Sequence, residues 1–270
     1  MLYNILIAVA VVSGIGLICG IVLALASHFM AVKVDEKKEA VRACLPGVNC
    51  GACGYTGCDG YAAALVKGDA EINLCIPGAD AVAKKLAEVL GVEFADVIEK
   101  VAIVHCGGDC KSTERKEIYE GIETCAAANL LYGGTGKCSF GCLGYGDCKA
   151  VCKSNAICIE DGIAHVSTSL CIGCGMCVRA CPKHLISLVP DVIQTIVFCS
   201  NREKGATVRK ECVSGCIACK KCEKLCPEQA IVVRDNLAEV DAEKCTGCGI
   251  CADNCPVGCI KVGSFLGAHK

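Results

Sequence analysis

Residues 245–256 read CTGCGICADNCP, and residues 171–182 (CIGCGMCVRACP) and 216–227 (CIACKKCEKLCP) repeat this spacing of four cysteines and a proline. In such a C-x2-C-x2-C-x3-C-P run, three thiolates on one tight loop reach three corners of an iron–sulfur cube. The fourth corner must be met from elsewhere, because the last cysteine serves a neighbouring cluster. Small residues between the cysteines let the backbone approach the sulfur atoms. The runs therefore predict [4Fe-4S] clusters.

The second half of the chain is an internal repeat. Each unit opens with a C-x3-C pair, at 138–142 and at 212–216, and continues into a predicted β-hairpin, a second cysteine run and a short strand. This order predicts two tandem ferredoxin-like modules that hold two clusters each. The modules and the linker between them are predicted at 133–190, 212–270 and 191–211.

The first run of the first module departs from the pattern. Tyr145 stands where the second module has Cys219, and Cys152 precedes Lys153 instead of a proline. We expect Cys138 to supply the missing corner, since without it the site has ligands for only a three-iron cluster. The four crosswise sets expected are Cys138, Cys142 and Cys148 with Cys181; Cys171, Cys174 and Cys177 with Cys152; Cys216, Cys219 and Cys222 with Cys255; and Cys245, Cys248 and Cys251 with Cys226.

A separate four-cysteine motif lies nearer the N-terminus. It consists of Cys50, Cys53, Cys58 and Cys75, with glycines that free the loop to wrap a cluster. Four cysteines on one wrapped segment close a cube without help from another domain. We therefore predict a small helical domain at 29–90, followed by a connecting region at 91–132 with a strand near its start. Five [4Fe-4S] clusters are expected in all.

The remaining cysteines show no regular spacing. Most are expected to pack as small apolar side chains. Cys106, Cys110 and Cys125 are candidate ligands of a sixth site, for which the sequence shows no fourth ligand. The unassigned cysteines are Cys19, Cys44, Cys106, Cys110, Cys125, Cys158, Cys199, Cys212 and Cys259.

The composition favours cores that disulfides or metal sites stabilise, and metal sites are expected because the reducing cytoplasm predicted for these domains keeps thiols free. The 270 residues include 29 cysteines but only 5 Phe, 6 Tyr and no Trp, so aromatic side chains for several small cores are scarce. Zinc is the alternative, because paired C-x2-C motifs also form tetrahedral zinc sites. Three consecutive cysteines at two-residue gaps, followed by Cys-Pro, are more typical of iron–sulfur ligation.

The N-terminal segment is apolar over residues 5–26, and the first charged residue is Lys33. As a helix these residues extend about 33 Å, enough for a hydrocarbon core of about 30 Å. A cleaved signal peptide and a buried core helix are the alternatives, but the basic region of a signal peptide is missing. Four basic residues follow within 33–42. The positive-inside rule therefore predicts a single-pass anchor at 1–28 in the cell membrane, with the N-terminus outside and the cluster domains cytoplasmic.

The net charge and the distribution of charged residues limit the kinds of partner that this chain is expected to bind. The net charge of −2 and the lack of a basic arm argue against nucleic acid. Residues 201–226 carry seven bases against three acids, and a basic surface there would attract an acidic soluble ferredoxin, although an ordinary solvated face is the alternative. No Ser/His/Asp set or dinucleotide fingerprint is present, so we expect no catalytic residue and no NAD or flavin bound by this chain.

Residues 45–58 (LPGVNCGACGYTGC) and 73–78 (NLCIPG), between an apolar segment and tandem cysteine-rich modules, resemble the family of Rnf B subunits in its longer clostridial form. The resemblance covers essentially the whole chain. It implies a membrane complex that couples electron transfer between reduced ferredoxin and NAD to Na⁺ or H⁺ translocation. It also implies that the A, C, D, E and G subunits supply the NAD site, the flavins and the ion path. The implied partners are those subunits, soluble ferredoxin and membrane lipid.

The expected fold class is α+β, with one transmembrane helix, a small cluster-binding α domain and two tandem ferredoxin-like modules. The expected function is an electron relay within a redox-driven ion pump. A membrane-tethered zinc-binding module and a free-standing membrane polyferredoxin are the alternatives. A corrinoid-handling protein has a similar N-terminal cluster motif, but it needs a large barrel and a cobalamin domain for which 270 residues leave no room.

Overall fold

The computed structural model describes residues 2–29, 35–94, 100–190 and 194–263. The chain divides into two units, Met1–Ala40 and Val41–Lys270. The helices are α1 (Leu2–Phe29), α2 (Glu36–Cys44), α3 (Cys58–Lys67), α4 (Ala79–Leu90), α5 (Cys125–Asn129), α6 (Asp147–Ala150), α7 (Met176–Ala180), α8 (Gly205–Glu211), α9 (Lys221–Leu225) and α10 (Ile250–Asp253). The strands are β1 (Lys100–Val104), β2 (Ile157–Glu160), β3 (Ile163–Val166), β4 (Ile186–Pro190), β5 (Gln194–Val197), β6 (Ile231–Arg234), β7 (Leu237–Val240) and β8 (Ile260–Gly263).

Helix α1 is the main element of the first unit. The sequence of its 28 residues gives it no polar face, and at about 1.5 Å per residue the helix extends roughly 42 Å. The stretch Val9–Ala26 has a mean hydropathy of 2.6, and none of it is buried within the protein. A helix without a polar face suits a surrounding that is apolar all round. By length and composition, α1 therefore fits the predicted membrane span.

The N-terminal part of the second unit is a small helical domain. Helices α3 and α4 pack around Tyr61, Leu65 and Leu86, which are 1%, 4% and 0% exposed. The Tyr61 hydroxyl donates a hydrogen bond to the Glu71 carbonyl at 2.6 Å, so its polar end is satisfied inside this core. This core holds the two segments that carry the first cysteine motif.

Two of the sheets are the predicted hairpins, β2–β3 and β6–β7. Their turns are Asp161-Gly162 and Asp235-Asn236, in which both central residues have positive φ angles: 48° and 82° in the first, 46° and 62° in the second. Two left-handed residues make the type I′ turn that matches the twist of a two-residue hairpin, and Asp, Asn and Gly tolerate that conformation best. The hairpin prediction is confirmed.

The other two sheets join each module to a strand that precedes it. β1 pairs antiparallel with β4, placing Ala102 opposite Leu188, and β5 pairs antiparallel with β8, placing Ile196 opposite Lys261. β1 is expected from its apolar sequence. β5 is not, because it is a four-residue strand within the segment that the sequence indicates as a linker.

The two modules, each taken together with the strand that precedes it, repeat the same hydrogen bond. The residue after β1, His105, donates its N–H to the Leu185 carbonyl, and the residue after β5, Phe198, donates its N–H to the Cys259 carbonyl, both at 2.7 Å. In both modules the next residue is a cysteine, Cys106 or Cys199. Each repeat therefore consists of a leading strand, a cysteine two residues beyond it, and a module with one hairpin and a final strand that pairs with the leading strand.

Candidate iron–sulfur sites

The N-terminal motif forms one group of four thiols. Cys50, Cys53 and Cys58 lie along a loop that ends where α3 begins, and Cys75 precedes α4. Burial raises the pKa of the Cys75 thiol to about 11, and the neighbouring thiolates of Cys58, Cys50 and Cys53 contribute to that rise. The structure therefore brings together all four cysteines that the sequence predicted for this site.

Glycine is required where this loop meets α3. Gly57 has a φ of 113°, and a Cβ there would stand 3.1 Å from the Asn49 side-chain oxygen. That oxygen accepts the Cys58 N–H at 2.9 Å, which fixes the start of α3 and the position of the Cys58 thiol. The motif glycines thus serve the close folding of the loop on itself.

Two groups in the modules show the predicted crosswise arrangement. Burial raises the pKa of the Cys177 thiol to about 11, with contributions from Cys171, Cys174 and Cys152. Burial likewise raises the pKa of Cys222 to about 11, with contributions from Cys216, Cys219 and Cys255. Each group combines three cysteines of one run with the fourth cysteine of the other. In the remaining group, burial raises the pKa of Cys251, and nearby Cys248 adds to that rise.

The fourth cysteine of a run sits in a recurring turn. The sulfur atoms of Cys152, Cys181 and Cys226 each accept the N–H of the residue four positions later, at 3.3, 3.5 and 3.3 Å. The residue three positions later has a positive φ in each case: Asn155, His184 and Gln229. The left-handed residue turns the chain so that the following N–H points back at the sulfur, where it favours the thiolate form.

The first site of the first module is completed differently from the prediction. Its cavity is lined by Cys142, Cys148 and Cys181 together with Cys125, while Cys138 lines a different cavity. Burial raises the pKa of Cys148 to about 12, with contributions from Cys142, Cys125 and Cys181. The structure therefore places Cys125 at the corner that the sequence analysis gave to Cys138.

Helix α5 delivers Cys125 to this cavity. Both carboxylate oxygens of Asp147 accept N–H groups at the start of α5, from Cys125 at 2.8 Å and from Ala126 at 2.9 Å. The Thr124 hydroxyl accepts the Ala127 N–H at 3.2 Å. Asp147 stands next to the ligand candidate Cys148, so the same segment carries a cysteine and anchors the helix that supplies the distant one.

A second cavity lies where the two modules meet. The cysteines that line it are Cys106, Cys138, Cys199 and Cys212, together with Cys142, which also lines the first cavity. Of the three cysteines that the sequence suggested for a sixth site, Cys106 lies here and Cys125 lies at the first cavity. The third, Cys110, is exposed, with its thiol 3.9 Å from the Asp161 carboxylate. Sequence reasoning leaves Cys199 and Cys212 unassigned because neither belongs to a C-x2-C run.

The spacing of these groups does not suit a single metal ion. Within the described ranges, no three His, Cys, Asp or Glu side chains come close enough together to hold one ion. Tetrahedral zinc with Zn–S bonds of about 2.3 Å needs ligand sulfurs roughly 3.8 Å apart. A cube keeps its ligands farther apart because its iron atoms lie between them. Cysteines that share a cavity at wider spacing therefore fit a cluster better than a zinc ion.

Comparisons with known proteins identify both the type of cofactor domain in this chain and the protein family to which it is similar. Models of a putative Fe-S cluster family, a 4Fe-4S binding domain and a 4Fe-4S dicluster domain match residues 45–77, 164–187 and 206–262. The B subunit of the Na(+)-translocating ferredoxin:NAD(+) oxidoreductase complex of Acetobacterium woodii is 46% identical over 96% of this chain and 78% of its own length.

Two further relatives are also B subunits of oxidoreductase complexes. The B subunit of the proton-translocating ferredoxin:NAD(+) oxidoreductase complex of Clostridium ljungdahlii is 41% identical over 96% of this chain and 92% of its own length. The B subunit of the ion-translocating oxidoreductase complex of Methanosarcina acetivorans is 38% identical over 92% of this chain and 95% of its own length. The chain therefore belongs to the family of B subunits of the ion-translocating, or Rnf, oxidoreductase complexes.

Proposed function

We propose that this chain accepts electrons from reduced ferredoxin and passes them, one at a time, to partner subunits that reduce NAD and translocate Na⁺ or H⁺. Its family and its 4Fe-4S domains make it an iron–sulfur electron-transfer subunit of such a complex. The observation that carries the proposal is that cysteines distant in the sequence gather into separate groups.

The ligands we assign differ from the sequence prediction at one position, since Cys125 replaces Cys138. A bound cluster supplies a one-electron couple without making or breaking a bond in the protein. The chain's own residues hold the sulfur atoms and surround them with N–H donors. The five assigned sets are Cys50, Cys53, Cys58 and Cys75; Cys125, Cys142, Cys148 and Cys181; Cys152, Cys171, Cys174 and Cys177; Cys216, Cys219, Cys222 and Cys255; and Cys226, Cys245, Cys248 and Cys251.

We assign α1 as a single membrane span that tethers the relay to its partner subunits. Its apolar surface is not buried within the protein, and basic residues follow it at 33–42. The positive-inside rule supports a cytoplasmic location for the cysteine domains, where thiols stay reduced and available for ligation.

Ferredoxin entry is assigned to the basic face of the second module. Lys220, Lys221 and Lys224 are exposed around the exposed Cys219. The Lys220 ammonium is 3.8 Å from the Glu223 carboxylate, a surface ion pair that leaves most of the local positive charge uncompensated. Positive charge beside an exposed ligand position would orient an acidic ferredoxin with its cluster near this one.

The test is a charge-reversal variant, Lys220→Glu/Lys221→Glu/Lys224→Glu, in the purified complex. We expect ferredoxin-dependent reduction to slow roughly tenfold at low ionic strength and to lose its salt dependence. Iron content and reduction by a small neutral reductant should not change.

A matched control reverses three exposed lysines away from Cys219, Lys85→Glu/Lys116→Glu/Lys149→Glu. It imposes the same change of net charge, so it should retain most of the rate if local steering matters. Equal rates in both triple variants at low salt would refute entry at this face. An iron-free preparation containing zinc would refute the relay itself.

A further inference from the structure

We propose a sixth [4Fe-4S] site between the two ferredoxin-like modules, with Cys106, Cys138, Cys199 and Cys212 as its ligands. The inference rests on the proposed relay function, which supplies the class of cofactor, and it raises the expected number of clusters from five to six. These four cysteines line one cavity, as Cys125, Cys142, Cys148 and Cys181 line one at the first site of the first module.

The four sulfur atoms converge in two pairs. A Cβ built on Gly108 would stand 3.3 Å from the Cys212 sulfur and 3.7 Å from the Cys106 sulfur, so both flank one point of the backbone. Asn201 links the other two, since its side-chain amide donates to the Cys138 sulfur at 3.4 Å and its backbone N–H donates to the Cys199 sulfur at 3.5 Å.

The surroundings favour ligating sulfur over packed thiols. Cys106, Cys199 and Cys212 are only 9%, 9% and 8% exposed, yet N–H groups point at the first two. The donor Asn201 is 2% exposed, and its amide is also held by the Glu211 carboxylate at 3.0 Å. Aiming a buried amide at sulfur is the outer-layer arrangement of cluster and metal sites, whereas a merely packed cysteine needs no such donor.

The site is built equally from both repeats. The first contributes the cysteine two residues beyond β1 and the opening cysteine of its C-x3-C pair, Cys106 and Cys138. The second contributes the equivalent positions, Cys199 and Cys212. The same hydrogen bond recurs in each half, since the Cys142 N–H donates to the Cys106 sulfur at 3.4 Å and the Cys216 N–H donates to the Cys199 sulfur at 3.3 Å.

Those hydrogen bonds also place the site on a route between the modules. Cys142 is assigned to the first module and Cys216 to the second, and each is one hydrogen bond away from a sulfur of the sixth site. A cluster here would therefore connect two pairs of clusters that otherwise belong to separate repeats.

The test counts clusters in the anaerobically purified full-length holoprotein by native mass spectrometry, together with iron and zinc analysis. We expect six cluster masses and about 24 iron atoms per chain, against about 20 for five clusters. The variant Cys199→Ser/Cys212→Ser removes two ligands, and we expect it to lose one cluster mass and about four iron atoms while keeping the other five.

The matched control is Cys110→Ser/Cys158→Ser, which changes two exposed cysteines outside every assigned site. It should retain all six clusters. Five clusters in the wild-type holoprotein would overturn the sixth site whether or not the variant folds, and so would one zinc ion with five clusters. Either result leaves the relay intact, whereas a protein without iron would overturn the relay as well.

Discussion

Tyr145 and Cys125 show how one substitution in a cysteine run is offset by a residue from another element. Tyr145 packs against the apolar cluster that contains Leu143 and Cys125, whereas the second module has the proposed ligand Cys219 at the equivalent position. We expect Cys125→Ser to convert this site to a three-iron cluster or empty it, because only three of its cysteines remain. The loss of one to four iron atoms, and a three-iron EPR signal on oxidation, are the measurements.

Adding Tyr145→Cys to that variant should restore four iron atoms at the site, since it regenerates the regular run. Cys138→Ser is the discriminating control, because it should leave this site filled and affect only the cavity between the modules. A Cys138→Ser protein that loses the first-module cluster and keeps the other would contradict the assignment of Cys125.

Cys259 is a buried thiol that contacts a ligand set without belonging to one. It is 2% exposed and its sulfur is 3.7 Å from the Cys255 sulfur. Cys259 also hydrogen-bonds to the Cys216 thiol, and this bond lowers the pKa of Cys216 to about 6, because an S–H donor favours the neighbouring thiolate. The same contact, with burial, raises the pKa of Cys259.

We expect Cys259→Ala to keep the iron content and to lower the reduction potential of the Cys216–Cys255 cluster. Losing one hydrogen bond of about 1 kcal/mol from ligand sulfur shifts a one-electron couple by about 40 mV toward negative potential. Redox titration followed by EPR measures this, with Cys158→Ala as the exposed control. An unchanged or more positive potential would argue against the donor role.

At the level of single residues, regular spacing indicated which cysteines of one loop to propose as ligands. It could not assign Cys125 to the first-module site, and of the four cysteines of the proposed sixth site it singled out only Cys106 for such a role. Cys125 lies far upstream of the cysteines with which it shares a cavity, and its position there depends on Asp147, which caps α5. The sequence signal that was available was the departure itself, a tyrosine in place of a cysteine, which indicated that a ligand had to come from elsewhere.

Helix α5 is too short to be stable by itself, so its anchoring residue should matter. We expect Asp147→Ala to cost about 1 kcal/mol, since it removes the acceptor of two N–H groups at the helix start. The variant should also lose iron from the Cys125 site faster than wild type during incubation with a chelator.

Asp147→Asn keeps one acceptor oxygen, so its stability and its rate of iron loss should lie between those of wild type and Asp147→Ala. Thermal unfolding of the anaerobic holoprotein and the rate of iron release are the measurements. If Asp147→Ala releases iron from all sites equally, the effect is general destabilisation and the local anchoring role is wrong.

Strand β5 shows what sequence patterns miss at the level of elements. Its four residues carry too little signal to separate it from a linker, and its pairing with β8 is a tertiary contact. The same holds for the pairing of β1 with β4. These leading strands position Cys106 and Cys199, so the missed pairings and the missed sixth site have one cause.

The whole chain divides into two units of different content. The unit Val41–Lys270 contains every cysteine assigned to a cluster, whereas Met1–Ala40 contains the apolar helix α1. The long apolar helix and the 4Fe-4S domains were both expected from the sequence, because long apolar runs and regular cysteine runs are strong local patterns.

This division predicts that removing residues 1–34 should separate membrane attachment from cluster binding. The truncated chain should be recovered without detergent and keep the iron content of the full-length chain, because no assigned ligand lies before Cys50. Its cluster EPR spectrum should match that of the detergent-purified protein, and ferredoxin should reduce it at the same rate, since the basic face at Lys220 is retained. A truncated chain that binds membranes as tightly as the intact one would show that α1 is not the anchor. Loss of iron on truncation would instead show that cluster binding depends on the first unit.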